Sequence, residues 1–599
     1  MKHLNSTLIA ALVLTAPLLA ADGEAAYKLR CSGCHQNAQP GGRIPPRAEI
    51  GALPPEAILR AISSGSMMLQ GSSLTDEERR DVARFLTGKE FAPVSGAAMA
   101  GMCTQPAPKF APKAGDWNGW SIDEGNSRYQ PNPGLRAEDV GKLRLKWAFG
   151  FPNGSIAASQ PTVVGGRLFV GSDSGDVYSL DAASGCIYWS YSGGALVRNG
   201  VKIAQVNGKY LAFFGDARAN EHAVDVETGK GLWKVKVEDH PIARLTGSPT
   251  FHDGKIYFGV SSFEEFTAAL GDYKCCTFRG SVVALDAGTG RRVWKSNTVL
   301  DPPKEFKKNK SGDPIYGPAG AAVWNTPAVD AKRKMVYVAT GDSYTDMDIN
   351  TSDAILAFDL DTGSLKWVRQ ILAHDNYITG CPVAANCPAE EGPDLDFGSS
   401  VIIRNLPGGK QILVVAQKSG VVYGLDPDKR GEILWETRVG SGGVLGGVEF
   451  GHAADLTQVY AAVSDKFTKR GDTPQPGISA LDLATGKKIW STPAPKVTCA
   501  KPAGCLPAQS AAIAVMPGAV FSGAVNGHFR AYSTKDGAIL WDFDTAVEFD
   551  TVNKVNAHGS SIDGAGPAIA HGMVYTNSGY GSLGGAPGNV LLAFSVDGK

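Results

Sequence analysis

The sequence has no surplus of either charge. Its 599 residues carry 58 basic and 59 acidic side chains, so no basic excess is available to neutralise a phosphate backbone, and nucleic-acid binding is excluded. Nowhere does an apolar run reach the roughly 20 residues that a membrane-spanning helix needs. Charged residues are scarce at 20%, which argues against a disordered or coiled-coil chain. Glycine is what abounds, with 73 residues, as expected of a globular chain rich in turns. The length would suit about four average domains, but all-β architectures hold far more residues in one.

The first residues read as an address. Met1-Lys2-His3 precedes an apolar run from Leu8 to Ala20, with small residues at its end. A charged start, a short apolar stretch and a small-residue end predict a secretory signal peptide over residues 1–21. The mature chain is then expected in the periplasm, where disulfides persist.

Cys31-Ser-Gly-Cys34-His35 has the CxxCH spacing, in which two thiols form thioethers to a haem and the histidine ligates its iron. Taken alone the pentapeptide also fits a zinc half-site. Its surroundings favour haem c. Gly65-Ser-Met67-Met68 offers a sixth ligand, with Met67 the first choice and Met68 the neighbouring one. After it, Thr75 and Glu78 form a capping box, opening a helix with Val82, Phe85 and Leu86 on one face. Residues 22–92 are therefore read as a small all-α cytochrome c domain. Residues 93–115, rich in Pro, Ala and Lys, read as a linker.

Residues 116–599 repeat a single unit: an apolar strand, Asp, two or three residues, Gly, then a strand carrying Trp. Val177-Tyr-Ser-Leu-Asp181 with Gly185 and Trp189 is one copy, and Val283-Ala-Leu-Asp286 with Gly290 and Trp294 another. The repeated tryptophans, Trp147, Trp189, Trp233, Trp294, Trp367, Trp435, Trp490 and Trp541, lie 42 to 73 residues apart. That suits four-stranded propeller blades with loops of unequal length. The last copy, Val590 to Gly598, has strand and turn but no Trp, and the missing strand is at the other end of the domain, around Trp147. Joining the two predicts an all-β, eight-bladed propeller closed by a split blade, which leaves no sheet edge exposed. The repeated tryptophans are read as stacking contacts between blades. Trp117, Trp120 and Trp324 fall outside the pattern.

An eight-bladed propeller with one Trp per blade resembles the quinoprotein alcohol dehydrogenases, which use pyrroloquinoline quinone (PQQ). The opening segment from Asp116-Trp117 to Arg128-Tyr129 is similar to the start of that family's propeller, and the fused cytochrome resembles its quinohaemoprotein members. With Lys274-Cys275-Cys276 and Ile562-Asp-Gly-Ala-Gly-Pro567, the likeness is greatest to the branch that oxidises polyvinyl alcohol. It implies an enzyme that takes secondary or polymeric alcohols to ketones with PQQ, haem c and Ca²⁺, and hands electrons to an external carrier such as a soluble cytochrome c or a quinone.

The resemblance also implies roles. Trp324 is the platform for the quinone; Arg198 and Thr246 anchor its carboxylates. Asp342 occupies a Ca²⁺-ligand position where the family usually has an amide. A further ligand comes from Glu264 or Glu265, since an ungapped match selects the first and the serine pair Ser261-Ser262 the second. Asp396 matches the catalytic base and a metal ligand, with Asp375 and Asp394 as rivals, and Lys418 matches a cation near the reacting quinone oxygen. The adjacent Cys275 and Cys276 are expected to form a ring that covers the quinone face opposite Trp324. Other cysteines permit the local pairs Cys381–Cys387, Cys499–Cys505 and Cys103–Cys186. A non-catalytic propeller scaffold is the reading of another class; it would lack the pocket carboxylates.

Overall fold

The computed structural model describes residues 21–599 except 39–45, 64–66, 72–73, 92–99, 272, 469–471, 498–503 and 582. The predicted signal segment up to residue 20 therefore lies outside the described residues, as does Cys499. The described residues form two compact units, one up to Ser95 and one from Gly96. No helix among them is long and apolar enough to cross a membrane.

The first unit is helical. Ala21–Arg30 and Asp76–Thr87 pack together. A Cβ on Gly23 would meet the carbonyl oxygen of Asp81 at 2.3 Å, so glycine sets how closely these helices approach. Ala26, Ile62, Leu74 and Val82 form the core, with Met67 packed against it. The expected capping box is present: the Thr75 hydroxyl accepts from the Glu78 amide, and the Glu78 carboxylate accepts from the Thr75 amide. Gly88, at φ 64°, ends the helix.

The second unit is a ring of eight antiparallel sheets. Blade 1 runs through Thr162–Val164, Arg167–Gly171, Asp176–Asp181 and Ile187–Ser192, and blades 2 to 7 follow in sequence order. Blade 8 is the split one. Leu143–Gly150 pairs along its whole length with Val590–Val596, Leu143 opposite Val596 and Gly150 opposite Val590. First strands such as Thr162–Val164 and Ala568–Ala570 are wholly buried, whereas last strands such as Gly231–Lys236 are largely exposed. The first strand of each blade therefore faces the axis.

The tryptophans lock blade to blade. The indole N–H of Trp147 donates to the Ala182 carbonyl of blade 1, Trp189 to Val226 of blade 2, Trp233 to Ala287 of blade 3, and Trp294 to Leu360 of blade 4. Trp490 and Trp541 continue the pattern to Thr534 and Leu143, which closes the ring. Trp435 departs from it: its buried N–H has no partner. The turn glycines explain the repeat's grammar. Gly229 and Gly290, both at φ 71°, lie under the rings of Trp189 and Trp233, where a Cβ would come within 2.7 and 2.9 Å of ring carbons.

Residues 100–115, whose composition reads as linker, run against the ring. Cys103 is disulfide-bonded to Cys186, Met102 bridges to Ile187, and Phe110 is buried beside Phe169 and Tyr210. Residues 117–130 then wind around the axis and meet the innermost strand of every blade in turn. Trp117 exchanges backbone hydrogen bonds with Val163 of blade 1, and Asn118 pairs with Ile203 of blade 2. Glu124 reaches His252 of blade 3 and Val329 of blade 4; Gly125 reaches Ile403 of blade 5. Ser127 meets Ala454 of blade 6, Arg128 and Gln130 meet Val515 of blade 7, and Gln130 meets Ile569 of blade 8. Fifteen residues or fewer that touch eight inner strands must fill the channel. They plug it.

Candidate active site

Against the plug lies a partly open cavity. Its wall is made where the chain enters the innermost strands: Gln160 of blade 1, Arg198 of blade 2, Thr246 of blade 3, Trp324 of blade 4, Gly398 of blade 5, Phe450 of blade 6 and Gly564 of blade 8, with Trp120 from the plug. Three sequence-predicted cofactor residues, Arg198, Thr246 and Trp324, therefore share one wall. The Thr246 hydroxyl lies 3.2 Å from the Trp324 carbonyl and 3.1 Å from the Ser261 hydroxyl. The Arg198 guanidinium lies 5.7 Å from the Phe450 ring, which meets the Trp324 ring edge-on at 6.0 Å. Gly398 must be glycine, because a Cβ there would come within 2.3 Å of the Trp324 ring.

A buried carboxylate cluster adjoins Trp324. Lys418 lies 5.7 Å from its ring and bonds Asp394 at 2.6 Å and Asp396 at 2.8 Å. The other Asp396 oxygen accepts the Asp342 amide at 2.8 Å. Burial opposes charge on Lys418, yet Asp394, Asp396 and Glu265 hold its ammonium well above the usual lysine range. Asp342 is pushed well above the carboxylate range, first by burial and then by Asp396 and Glu265. Glu265 is pushed up to about 7 by burial and then by Asp396, with Lys418 pulling the other way. Glu265, Asp342, Asp353, Asp375, Asp394 and Asp396 thus form one electrostatically linked group, which Lys418 partly neutralises.

The two glutamates separate cleanly. Glu264 is fully buried, and its oxygens accept the Tyr273 hydroxyl at 2.8 Å and the amides of Thr277 and Phe278 at 2.8 and 2.7 Å. Of the two carboxylates expected at a metal, Glu264 spends its oxygens on the turn that follows it, whereas Glu265 is the one linked electrostatically to Asp396 and Lys418. Asp375 spends both oxygens on the amides of Asp394 and Leu395, which makes it the orienter of that loop.

Cys275 and Cys276 are joined by a disulfide, as the family resemblance implies. The pair is fully buried, hydrogen-bonds through its backbone to Tyr316, and is not part of the cavity wall. It belongs to a cluster of buried side chains against which Trp324 also packs. Cys381 and Cys387 are bonded to each other, and Cys505 is disulfide-bonded. No motif marks Phe450, whose position in the wall rests on the start of blade 6. Trp120 had a signal, a tryptophan outside the repeat, but its destination could not be read.

Both implied cofactor types find suitable chemistry. One Asp342 oxygen is buried without a hydrogen-bond partner, and a surplus of hard anionic oxygens suits a divalent cation. Among the described residues no three such side chains yet stand gathered as a ligand set. In the helical unit Cys31 and Cys34 are free thiols, and His35, one helical turn on, is buried. Burial, with Cys34 beside it, raises the Cys31 thiol. Met67 is partly buried against the same small core; the Met68 side chain lies outside the described residues.

Comparison with known proteins agrees with this geometry. Residues 117–386 match the family described as glucose/ethanol/alcohol dehydrogenase, beta-propeller domain, and residues 19–86 match cytochrome C oxidase, cbb3-type, subunit III. Solved structures with the same fold include the quinohemoprotein alcohol dehydrogenase of Comamonas testosteroni, with a TM-score of 0.60 and 19% identity over 81% of each chain. A europium-containing methanol dehydrogenase aligns with a TM-score of 0.58 and 18% identity, over 81% of this chain and 98% of that one. Propeller, cavity and cytochrome unit together define a PQQ-dependent alcohol dehydrogenase with haem c. A polyvinylalcohol dehydrogenase from a Pseudomonas species is 44% identical, over 96% of this chain and 94% of its own. Another, from Sphingopyxis sp. (strain 113P3), is 43% identical over 96% and 93%. The chain belongs to the polyvinylalcohol dehydrogenase family.

Proposed function

We propose that this chain oxidises the secondary hydroxyls of polyvinyl alcohol to ketones after export to the periplasm, and passes the electrons through its haem to an external carrier. The observation that carries the reading is the contact of Lys418 with Asp396 directly beside the ring of Trp324. When bound, PQQ supplies the two-electron acceptor, calcium an electrophilic pull on a quinone oxygen, and haem c a one-electron relay.

The remaining work belongs to the protein. Asp396 takes the substrate's hydroxyl proton; the Asp342 amide on one oxygen and Lys418 on the other fix its orientation. Lys418 keeps its charge and stabilises negative charge that develops beside it. Trp324 presents a flat apolar face, and Arg198 and Thr246 present donors to an anionic rim. Glu265, Asp342 and Asp396 would hold the cation. Cys31 and Cys34 would tether the haem, with His35 and Met67 as axial ligands.

The test is reconstitution of metal-free, quinone-free protein with PQQ and Ca²⁺, followed by dye reduction with polyvinyl alcohol and with a chain-length series of small secondary alcohols. Turnover that rises with chain length supports the polymer reading. Equal turnover on short secondary alcohols replaces it with a small-alcohol dehydrogenase, and failure to retain PQQ refutes both.

A further inference from the structure

Arg128, in the axial plug, is fully buried, and every partner it has is neutral. Its Nε donates to the Ile513 carbonyl at 2.5 Å and its Nη1 to the Trp120 carbonyl at 2.5 Å. Its Nη2 reaches the Gln160 amide oxygen at 3.3 Å and the Pro567 carbonyl at 3.4 Å. The guanidinium lies over the Trp120 ring, 4.3 Å from its centre. Burial alone draws it down to about 9, so it remains a cation at neutral pH, and among the described residues no carboxylate accounts for its charge.

The seat is purpose-built. A Cβ on Gly566 would meet Nη2 at 2.3 Å, so the Gly-Pro of the Ile562–Pro567 motif is what leaves room for the guanidinium. The Gly566 amide donates to the same Gln160 oxygen. Trp120 and Gln160, both touched by Arg128, line the cavity, whereas Arg128 itself does not. A buried cation without a counter-ion is costly unless carbonyl dipoles or a nearby anion compensate it. The carbonyls supply part of that compensation. An anionic ligand in the adjoining cavity would supply the rest.

We propose that Arg128 is a positioning residue for the cofactor: a cation fixed behind the cavity wall that makes the cavity select a planar polyanion over its neutral counterpart, acting through Trp120 and Gln160. This rests on the reading of the cavity as the quinone's seat. Arg198 meets the ligand from the wall itself; Arg128 acts without contact, through a region of low dielectric where charge is felt at a distance.

The experiment titrates full-length, quinone-free protein, in Ca²⁺ buffer, with PQQ and with its trimethyl ester, which keeps the rings and loses the carboxylates. Quenching of tryptophan fluorescence reports binding. Wild type is expected to prefer the acid, and Arg128→Met to lower the acid-over-ester ratio by a factor on the order of ten. Arg128→Lys, which keeps the charge, should hold the ratio within about threefold of wild type. A ratio in Arg128→Met equal to wild type overturns the proposal, as does a ratio in Arg128→Lys as low as in Arg128→Met. Because Arg128→Met leaves buried carbonyls bare and can fail to fold, Gly566→Ala is the second variant. Its methyl would meet the guanidinium at 2.3 Å and the Ala512 carbonyl oxygen at 2.4 Å, so it displaces the cation and shifts one backbone contact; it should lower the acid's affinity more than the ester's, and an unchanged ratio overturns the proposal. Wild type that binds acid and ester equally sinks the role of Arg128 and leaves the cofactor reading standing. Wild type that binds neither sinks both.

Discussion

The roles proposed within the cluster are to react, to hold a cation and to hold the fold, and Asp396 carries the first two. Asp396→Asn is nearly isosteric but can keep only one of the two bonds that Asp396 accepts, from the Asp342 amide or from Lys418, and it cannot take a proton. It should retain PQQ and lose turnover by a factor of about 10² to 10⁴ in the dye-reduction assay; unchanged turnover moves the base to Asp394. The glutamate pair gives a sharper contrast. Glu264→Ala strips a hydroxyl and two amides of their buried acceptor and should lower stability by at least about 3 kcal/mol in thermal melts. Glu265→Ala removes one anion from a crowded group, so the metal-free protein should melt no lower than wild type, while Ca²⁺ binding by calorimetry weakens at least about tenfold. Reversed effects would exchange the two roles. Sequence could not decide between these residues because adjacent carboxylates differ only in which way the chain turns after them, and that turn is set by Tyr273, Thr277 and Phe278. His452, beside the plug, adds a pH dependence. Burial first, with Arg128 adding to it, brings its imidazole down to about 4 from the ordinary 6.5. Between those values the unfolded chain binds more protons than the folded one, so stability falls as pH drops from 6.5 towards 4, by on the order of 3 kcal/mol. His452→Gln should flatten that slope in metal-free protein followed by denaturant unfolding; an unaltered slope assigns it to other groups.

At the scale of the element, the blade is the unit that sequence states most openly. Its Asp-x-x-x-Gly-x-x-x-Trp spacing repeats because one local geometry repeats: the glycine turns at positive φ and lies under the preceding blade's indole. Gly290→Ala adds a methyl within 2.9 Å of the Trp233 ring in addition to a left-handed backbone, whereas Gly166→Ala, at φ 79°, meets nothing within 4 Å. The first should cost about 2 to 4 kcal/mol and the second about 1, read from melting of the two variants. Equal costs would mean that the tryptophan yields and the turn alone matters. The plug shows the opposite case. Residues 117–130 make mostly backbone bonds, each to a different blade, so no periodicity marks them and composition gives only an irregular, aromatic-bearing segment. The Cys275–Cys276 pair shows a third: adjacency made the bond legible, but its backbone pairing with Tyr316 was not.

For the whole molecule, closure depends on the two ends of one domain meeting, and the half-repeats around Trp147 and Phe594 made that legible because each lacks what the other has. Val590–Val596 is an interior strand of blade 8, paired with Leu143–Gly150 on one side and Met573–Ser578 on the other. Trp541 docks on Leu143 and Trp147 on Ala182, so blades 7 and 1 both lean on a blade that is incomplete until the last ten residues arrive. A chain ending at residue 589 should therefore expose two long unpaired edges, lose its near-ultraviolet circular dichroism and elute as aggregate in size-exclusion chromatography. The Cys103–Cys186 bond, by contrast, ties residues 100–115 to a blade already complete. Its loss in a Cys103→Ser, Cys186→Ser variant acts mainly on the unfolded chain, with a ceiling of about 5 kcal/mol for a loop of this length, and should leave a monomer that still binds PQQ. A monomeric, PQQ-binding chain ending at residue 589 would show that seven blades around the axial plug suffice. The plug's bonds to the innermost strands of all eight blades argue against that outcome: without the 590–596 strand, the strand that Gln130 grips at Ile569 keeps only Met573–Ser578 beside it and loses the outer half of its sheet.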